Sequence, residues 1–156
     1  MSRSLAVAIL AFALACGGGP DEALEEARSH LAAGAYAQAA AAAARGLEAG
    51  AEGATAWRLE LAALEGEARG KDAAAASARL ARLAEGPFAS QVTASLYVQT
   101  AGQLKESGDG AGAVRVLDAG AKRFPDDAHI AQAIARSKAT GTAAEVEQLR
   151  SLGYVE

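Results

Sequence analysis

The chain has 156 residues, enough for one domain, and 45 of them are alanine, the strongest helix former, while residues that favour strands are few. Its net charge of −4, without any basic block, argues against nucleic acid as a partner, because phosphates demand clustered Lys and Arg, and against electrostatic adsorption to an anionic membrane. A lone cysteine excludes an intrachain disulfide, and the scarcity of aromatics leaves Ala and Leu to build the core.

Residues 1–15 carry a single charge, Arg3, followed by an uncharged apolar run from Leu5 to Ala15. That is the pattern of a secretory signal, and the run is too short for a resident membrane helix of about 20 residues. Ala13-Leu14-Ala15-Cys16 resembles the bacterial lipoprotein signal, in which small residues precede the cysteine that accepts diacylglycerol. Here Ala13 stands where Leu is usual. The resemblance implies cleavage before Cys16 and lipidation of its thiol. Gly17, rather than Asp, follows the cysteine, which by resemblance to sorted lipoproteins implies an outer-membrane address facing the periplasm. Ala13 and Ala15 also fit ordinary signal-peptidase cleavage, which would leave a soluble periplasmic protein. Residues 16–20, with three glycines and Pro20, read as a flexible tether.

The body, residues 21–139, is a repeat. Gly34, Gly70 and Gly108 each precede an Ala-rich amphipathic run of about fourteen residues, ending near Leu47, Leu83 and Ala121. Pro87 and Pro125 stand seventeen residues past the second and third glycines, where the first unit has Ala51. Upstream of the glycines lie further helical stretches at 21–33, 54–69 and 90–107. In the second of these, Leu59, Ala62, Ala63 and Gly66 form one apolar face, and Trp57, Leu61, Leu64 and Ala68 another. Two apolar faces predict a helix covered on two sides. Glycine at each turn is expected to end the first helix of a pair through a positive φ, and proline to stop the second. Asp126 and Asp127 are expected to cap a further helix running to 139. Residues 140–156 form a last short helix at 143–151 and a tail, covering the open end of the stack through Val146, Leu149 and Leu152.

This pattern resembles the tetratricopeptide repeat, a pair of antiparallel helices. The third unit, 94–127, carries the resemblance best, with Tyr97, Ala101 and Leu104, then Gly108-Asp109, Ala113 and Leu117, and Phe124-Pro125. The second matches through Leu59, Ala63, Gly70, Ala75 and Pro87, the first through Ala27, Gly34, Tyr36 and Ala39. Gly120 and Gly110 depart from the family's usual Ala and aromatic. The implied fold is all-α, a short α-solenoid of about three antiparallel helix hairpins plus a C-terminal capping helix.

Chemistry-bearing residues are sparse, and no catalytic residue, metal site or cofactor is expected. Glu26 and His30 share a helical face but lack a third ligand, so a surface pair is expected. Asp126, Asp127 and His129 are explained by helix capping. Neither histidine accompanies a serine in a strained turn, and no Gly-rich phosphate loop precedes a Lys-Ser or Lys-Thr pair. What the repeat implies instead is a binding wall formed by the first helices, receiving a protein or peptide of the cell envelope. Mapped onto this sequence, that wall carries Glu25, Arg28, Trp57, Glu60, Gln99, Lys105, His129, Gln132 and Arg136, with Trp57 as an anchor. The expected role is an interaction scaffold or assembly factor, anchored by lipid on Cys16. The alternative is an accessory subunit that binds a ligand or substrate for an envelope enzyme.

Overall fold

A computed structural model describes residues 18–156. The expected signal at 1–15, the lipidation at Cys16 and residue 17 of the tether lie outside the described residues. The elements in chain order are α1 (Pro20–Ala32), α2 (Tyr36–Glu48), α3 (Gly53–Arg69), α4 (Ala73–Glu85), a short 3-10 turn (Ala89–Gln91), α5 (Ala94–Glu106), α6 (Gly110–Arg123), α7 (Ala128–Thr140) and α8 (Ala143–Ser151). Among the described residues there is no strand, and the all-α class stands. Two boundaries differ from expectation. Pro20 opens α1 instead of ending the tether, because proline's fixed φ and missing N–H suit the first helical position. The stretch expected as one helix from 90 is broken, since buried Val92 is extended and α5 starts only at Ala94.

The helices form two rows. In the first, α1, α3, α5 and α7 each touch the next; in the second, α4 touches α6 and α6 touches α8, while α2 and α4 do not meet. Three turns join α1 to α2, α3 to α4 and α5 to α6 with the same pair of backbone hydrogen bonds. Ala35 N donates to His30 O, Asp72 N to Glu67 O and Asp109 N to Leu104 O, each at 2.8 Å. Inside these lie Gly34 N to Leu31 O, Lys71 N to Ala68 O and Gly108 N to Lys105 O. This double closure requires a left-handed residue. It is Gly34 (φ 73) and Gly108 (φ 94) in two turns, but Lys71 (φ 66) in the other, while Gly70 keeps an ordinary φ of −76. Gly70 is therefore not the turn's left-handed residue. The equivalent positions are 34, 71 and 108, evenly 37 apart, and the uneven glycine spacing conceals a regular repeat.

Helix α3 is the hinge of the packing. Its Leu59, Ala62 and Ala63 join Ala23, Leu24 and Ala27 of α1 and Ala42 and Ala43 of α2 in one cluster. Its Leu64 and Ala68 belong to a larger core with Leu80 and Leu83 of α4, Tyr97 and Leu104 of α5, Val114 and Leu117 of α6, Ile130 and Ile134 of α7 and Leu149 of α8. Gly120 sits where a Cβ would come within 3.0 Å of both Ile130 and Tyr97, so the glycine is what lets α5, α6 and α7 meet. Gly110 likewise lies under the Glu145 side chain, whose Cγ is 2.7 Å from the position of a Cβ. Of the two acids expected to cap α7, only Asp127 does so, accepting from His129 N (2.9 Å) and Ile130 N (3.1 Å).

Candidate interaction groove

Helices α1 and α5 both lie against α3 but do not touch each other, so α3 forms the floor of a trough between them. Its cavity is about 460 Å³. Helix α1 contributes Leu24, Arg28 and Leu31, spaced three and four apart and hence on one face. Helix α3 contributes Trp57, Leu61 and Leu64, flanked by Arg58 and Glu65, and α5 contributes Leu96, Gln99 and Gln103. The expectation that the Trp57–Leu61 face would be covered is corrected here. Leu64 and Ala68 enter the core, whereas Leu61 and Trp57 stay partly open because no helix bridges α1 and α5. The Trp57 ring is fixed on one side by Phe88 of the α4–α5 linker, with ring centroids 5.4 Å apart.

The trough has an apolar floor and a polar rim. Arg28 is held by Glu25 at 2.6 Å and Glu65 by Arg69 at 2.7 Å. Among the described residues Arg58 has no ionic partner. A smaller cavity of about 180 Å³ lies on the other side of α5, between it, α6 and α7. Ala101, Leu117 and Ala133 line its depth and Lys105 and Arg136 its edges. Lys105 reaches Glu145 of α8, Nζ to Oε1 2.7 Å, and Arg136 has no ionic partner among the described residues.

The residues expected on one wall are thus distributed. Arg28, Trp57 and Gln99 line the trough; Lys105 and Arg136 line the second cavity; Glu25 stands outside as the exposed partner of Arg28. His129 and Gln132 are exposed on α7 and line neither cavity. Glu60 does not belong to the wall. It shares a face with Glu67, seven residues on, and both point into the α3–α4 seam. There Arg79 bonds Glu60 and grips Glu67 through Nε (2.9 and 3.0 Å) and Nη2 (2.6 Å). Arg82 adds a contact to Glu60 at 3.1 Å. A buried carboxylate needs a cation, and α4 supplies it. Burial alone would lower the Arg79 pKa, but the hydrogen bonds and charges of Glu67 and Glu60 outweigh it and raise it above the usual arginine value.

Sequence reasoning missed Leu31, Arg58, Leu61, Leu96 and Gln103. One signal was present for Leu61, which lies between Arg58 and Glu65 on the sequence, a mixture more typical of a groove edge than of a covered face. The two histidines pair locally. His30 Nε2 lies 3.5 Å from Glu26, which also binds Arg45 at 2.6 Å, and His129 Nδ1 lies 3.6 Å from Asp127. Among the described residues no three His, Cys, Asp or Glu side chains converge as metal ligands would. In comparisons with known proteins, the chain matches no family model, no curated protein and no solved structure.

Proposed function

We propose that the chain is a lipid-anchored interaction module of the bacterial cell envelope, built like a tetratricopeptide array, whose α1–α3–α5 trough receives a peptide segment of a partner protein. The observation that carries this reading is the trough itself. Leu31, Leu61, Leu96 and the Phe88-braced Trp57 present apolar surface, and the Gln99 and Gln103 amides stand ready for main-chain hydrogen bonds. A partner's apolar side chains would fill the floor while the rim fixes its direction. Among the described residues no helix is long and apolar enough to cross a membrane. In this reading attachment rests on Cys16, at the periplasmic side of the outer membrane, and the chain binds without catalysing.

A photo-crosslinking amino acid placed at Gln99, in cells, tests the trough. The same group at Ala78, exposed on α4, is the control. The expected result is one envelope protein attached at position 99, absent at position 78 and lost when Trp57→Ala is added. Equal adducts from both positions would refute the trough as the binding surface. Attachment is tested separately: labelled palmitate should enter the wild-type chain and not Cys16→Ala, and a wild-type chain that takes up no label would refute the anchor.

A further inference from the structure

Helix α5 is the wall between the trough and the second cavity, and it carries a glycine that the fold does not explain. Gly102 lies inside α5, exposed, and beyond its chain neighbours and the backbone of its own helix no atom comes within 4 Å of where its Cβ would be. Among the described residues, every other glycine in the interior of a helix has a packing reason. A Cβ on Gly46 would meet Leu59 at 2.8 Å, on Gly66 the Tyr36 carbonyl at 2.7 Å, on Gly112 Ala73 at 2.5 Å and on Gly120 Ile130 at 3.0 Å. A mid-helix glycine costs stability relative to alanine, so one with open space around it suits an approach by something outside the chain. Residue 102 lines the second cavity, and its neighbours on α5, Gln99 and Gln103, line the trough. The missing side chain leaves a low saddle in the ridge that stands between the two cavities.

Both charged side chains that line the second cavity are cations. The chain as a whole is acidic at −4, yet Lys105 and Arg136 flank this cavity. The carboxylate that faces them from α8, Glu145, is fully buried and already holds Lys105, Ser137 and the Thr142 amide. Arg136 is left with its charge turned to solvent.

We infer that the partner segment is an extended peptide that seats an apolar side chain in the trough, crosses α5 over Gly102, and places an Asp or Glu side chain between Lys105 and Arg136. This rests on the trough reading and sharpens it. The saddle lets the peptide backbone come close to α5, as glycine does where a ligand must approach the main chain. The acid finds in the second cavity the unpaired Arg136 guanidinium beside Lys105, whose charge Glu145 already balances, and a lysine there would meet Arg136 as a like charge.

The test uses the full chain and a fluorescein-labelled peptide series in which Leu is followed by a short spacer of alanines and then Asp, with the spacer varied, read by fluorescence anisotropy. A matching series ends in Lys. The acidic series should bind best at one spacer length, and both the lysine counterpart and high salt should weaken binding about tenfold or more. Gly102→Leu should weaken it by a similar factor. Gly102→Ala should weaken it less while raising Tm, because alanine improves the helix and partly fills the saddle. Circular dichroism and Tm of both variants report whether the helix stays intact. Unchanged binding by Gly102→Leu, or equal binding of the Asp and Lys series, overturns the inference; if Trp57→Ala still abolishes binding in that case, the trough reading survives it. Failure of every peptide in the series overturns the inference as well, and leaves the trough to be judged by cross-linking at Gln99.

Discussion

The pair α1–α2 and the pair α5–α6 close their turns with the same hydrogen bonds around a left-handed glycine, yet different forces hold them in the stack. The cluster that binds α1 and α2 to α3 has eight buried residues, of which six are alanine and two are leucine. In the core around α5 and α6, twelve of twenty are larger than alanine. At about 0.8 kcal/mol per buried CH₂, an alanine methyl contributes little transfer energy. The amino end compensates by proximity. Gly66 brings α3 so near α2 that a Cβ would lie 2.7 Å from the Tyr36 carbonyl and 3.0 Å from Ala40 N. Capping follows the division only in part, since α5, with Thr93 at its start, also lacks a side-chain cap. No side chain caps α1, α2 or α3, while Asp72, Asp109, Asp127 and Thr142 cap α4, α6, α7 and α8. In a stack where each unit touches only its neighbours, the weaker end opens first. Amides of α1 and α2 should therefore exchange faster than those of α5 and α6.

The largest effect is expected where the two ends are joined. Arg79 is 9% exposed and bridges Glu60 and Glu67 across the α3–α4 seam. Since α2 and α4 do not touch, that seam and the α3–α5 contact are what join the two ends. Arg79→Met leaves two carboxylates in a poorly hydrated place and should cost about 3–5 kcal/mol in urea unfolding. Replacing all three by Leu, Leu and Met should recover most of that. The single variant should also split one unfolding transition into two; a loss below about 1 kcal/mol would mean that the ends are not coupled here.

A smaller effect tests the close approach at the amino end. Gly66→Val inserts atoms between α2 and α3 and should cost about 1–3 kcal/mol by overpacking. Hydrogen exchange should rise in α1 and α2 and stay level in α6 and α7. Uniform acceleration along the chain would show that the cluster is not a separate unit.

How much of this was legible in the sequence follows from the same contrast. Helix existence, the three hairpins and the capping helix 143–151 follow from apolar periodicity, which depends only on neighbours along the chain. The left-handed Lys71 was hidden because Gly70 beside it offered a stronger local signal. Glu60 was misplaced for a related reason. A fraction of a turn of rotation about α3 separates a groove face from a seam, and only Arg79, nineteen residues away, decides between them. The trough needed knowledge that α1 and α5 stay apart, which no local pattern contains.

A gain of about 1 kcal/mol is expected from giving the amino end a cap it lacks. Ala35 (φ −86, ψ 62) has nearly the same backbone as the capping Asp72 (φ −100, ψ 73) and Asp109 (φ −98, ψ 68) at equivalent positions in the next units. In Ala35→Asp the new carboxylate is placed to accept from the Gln38 amide, as Asp72 accepts from Ala75 at 2.9 Å and Asp109 from Gly112 at 2.7 Å. Thermal unfolding should shift upward and α2 exchange should slow. No shift would mean that the first turn is not formed as in the other units.

The smallest effect is confined to one helix and separates the two ends by pH. At the amino end, the hydrogen bond from Arg45 lowers the pKa of exposed Glu26. At the carboxyl end, burial pushes the fully buried Glu145 upward, but hydrogen bonds from Lys105 and Thr142 outweigh it and hold the carboxyl below its ordinary value of 4.5. A lowered folded pKa means that the unfolded chain binds the proton first. Glu145 therefore stabilises the docking of α8 fully above about 4.5, and that contribution is lost as pH falls through its lower folded value. Protection factors of α8 amides report this group apart from Glu26, because α8 packs on α6 and α7 and not on α1. They should fall below pH 4.5 in the wild type and stay flat in Glu145→Gln, whose amide takes up no proton there. If the variant keeps the wild-type acid dependence, some other group releases α8, and the Lys105–Glu145 contact is a consequence of docking rather than a cause of it.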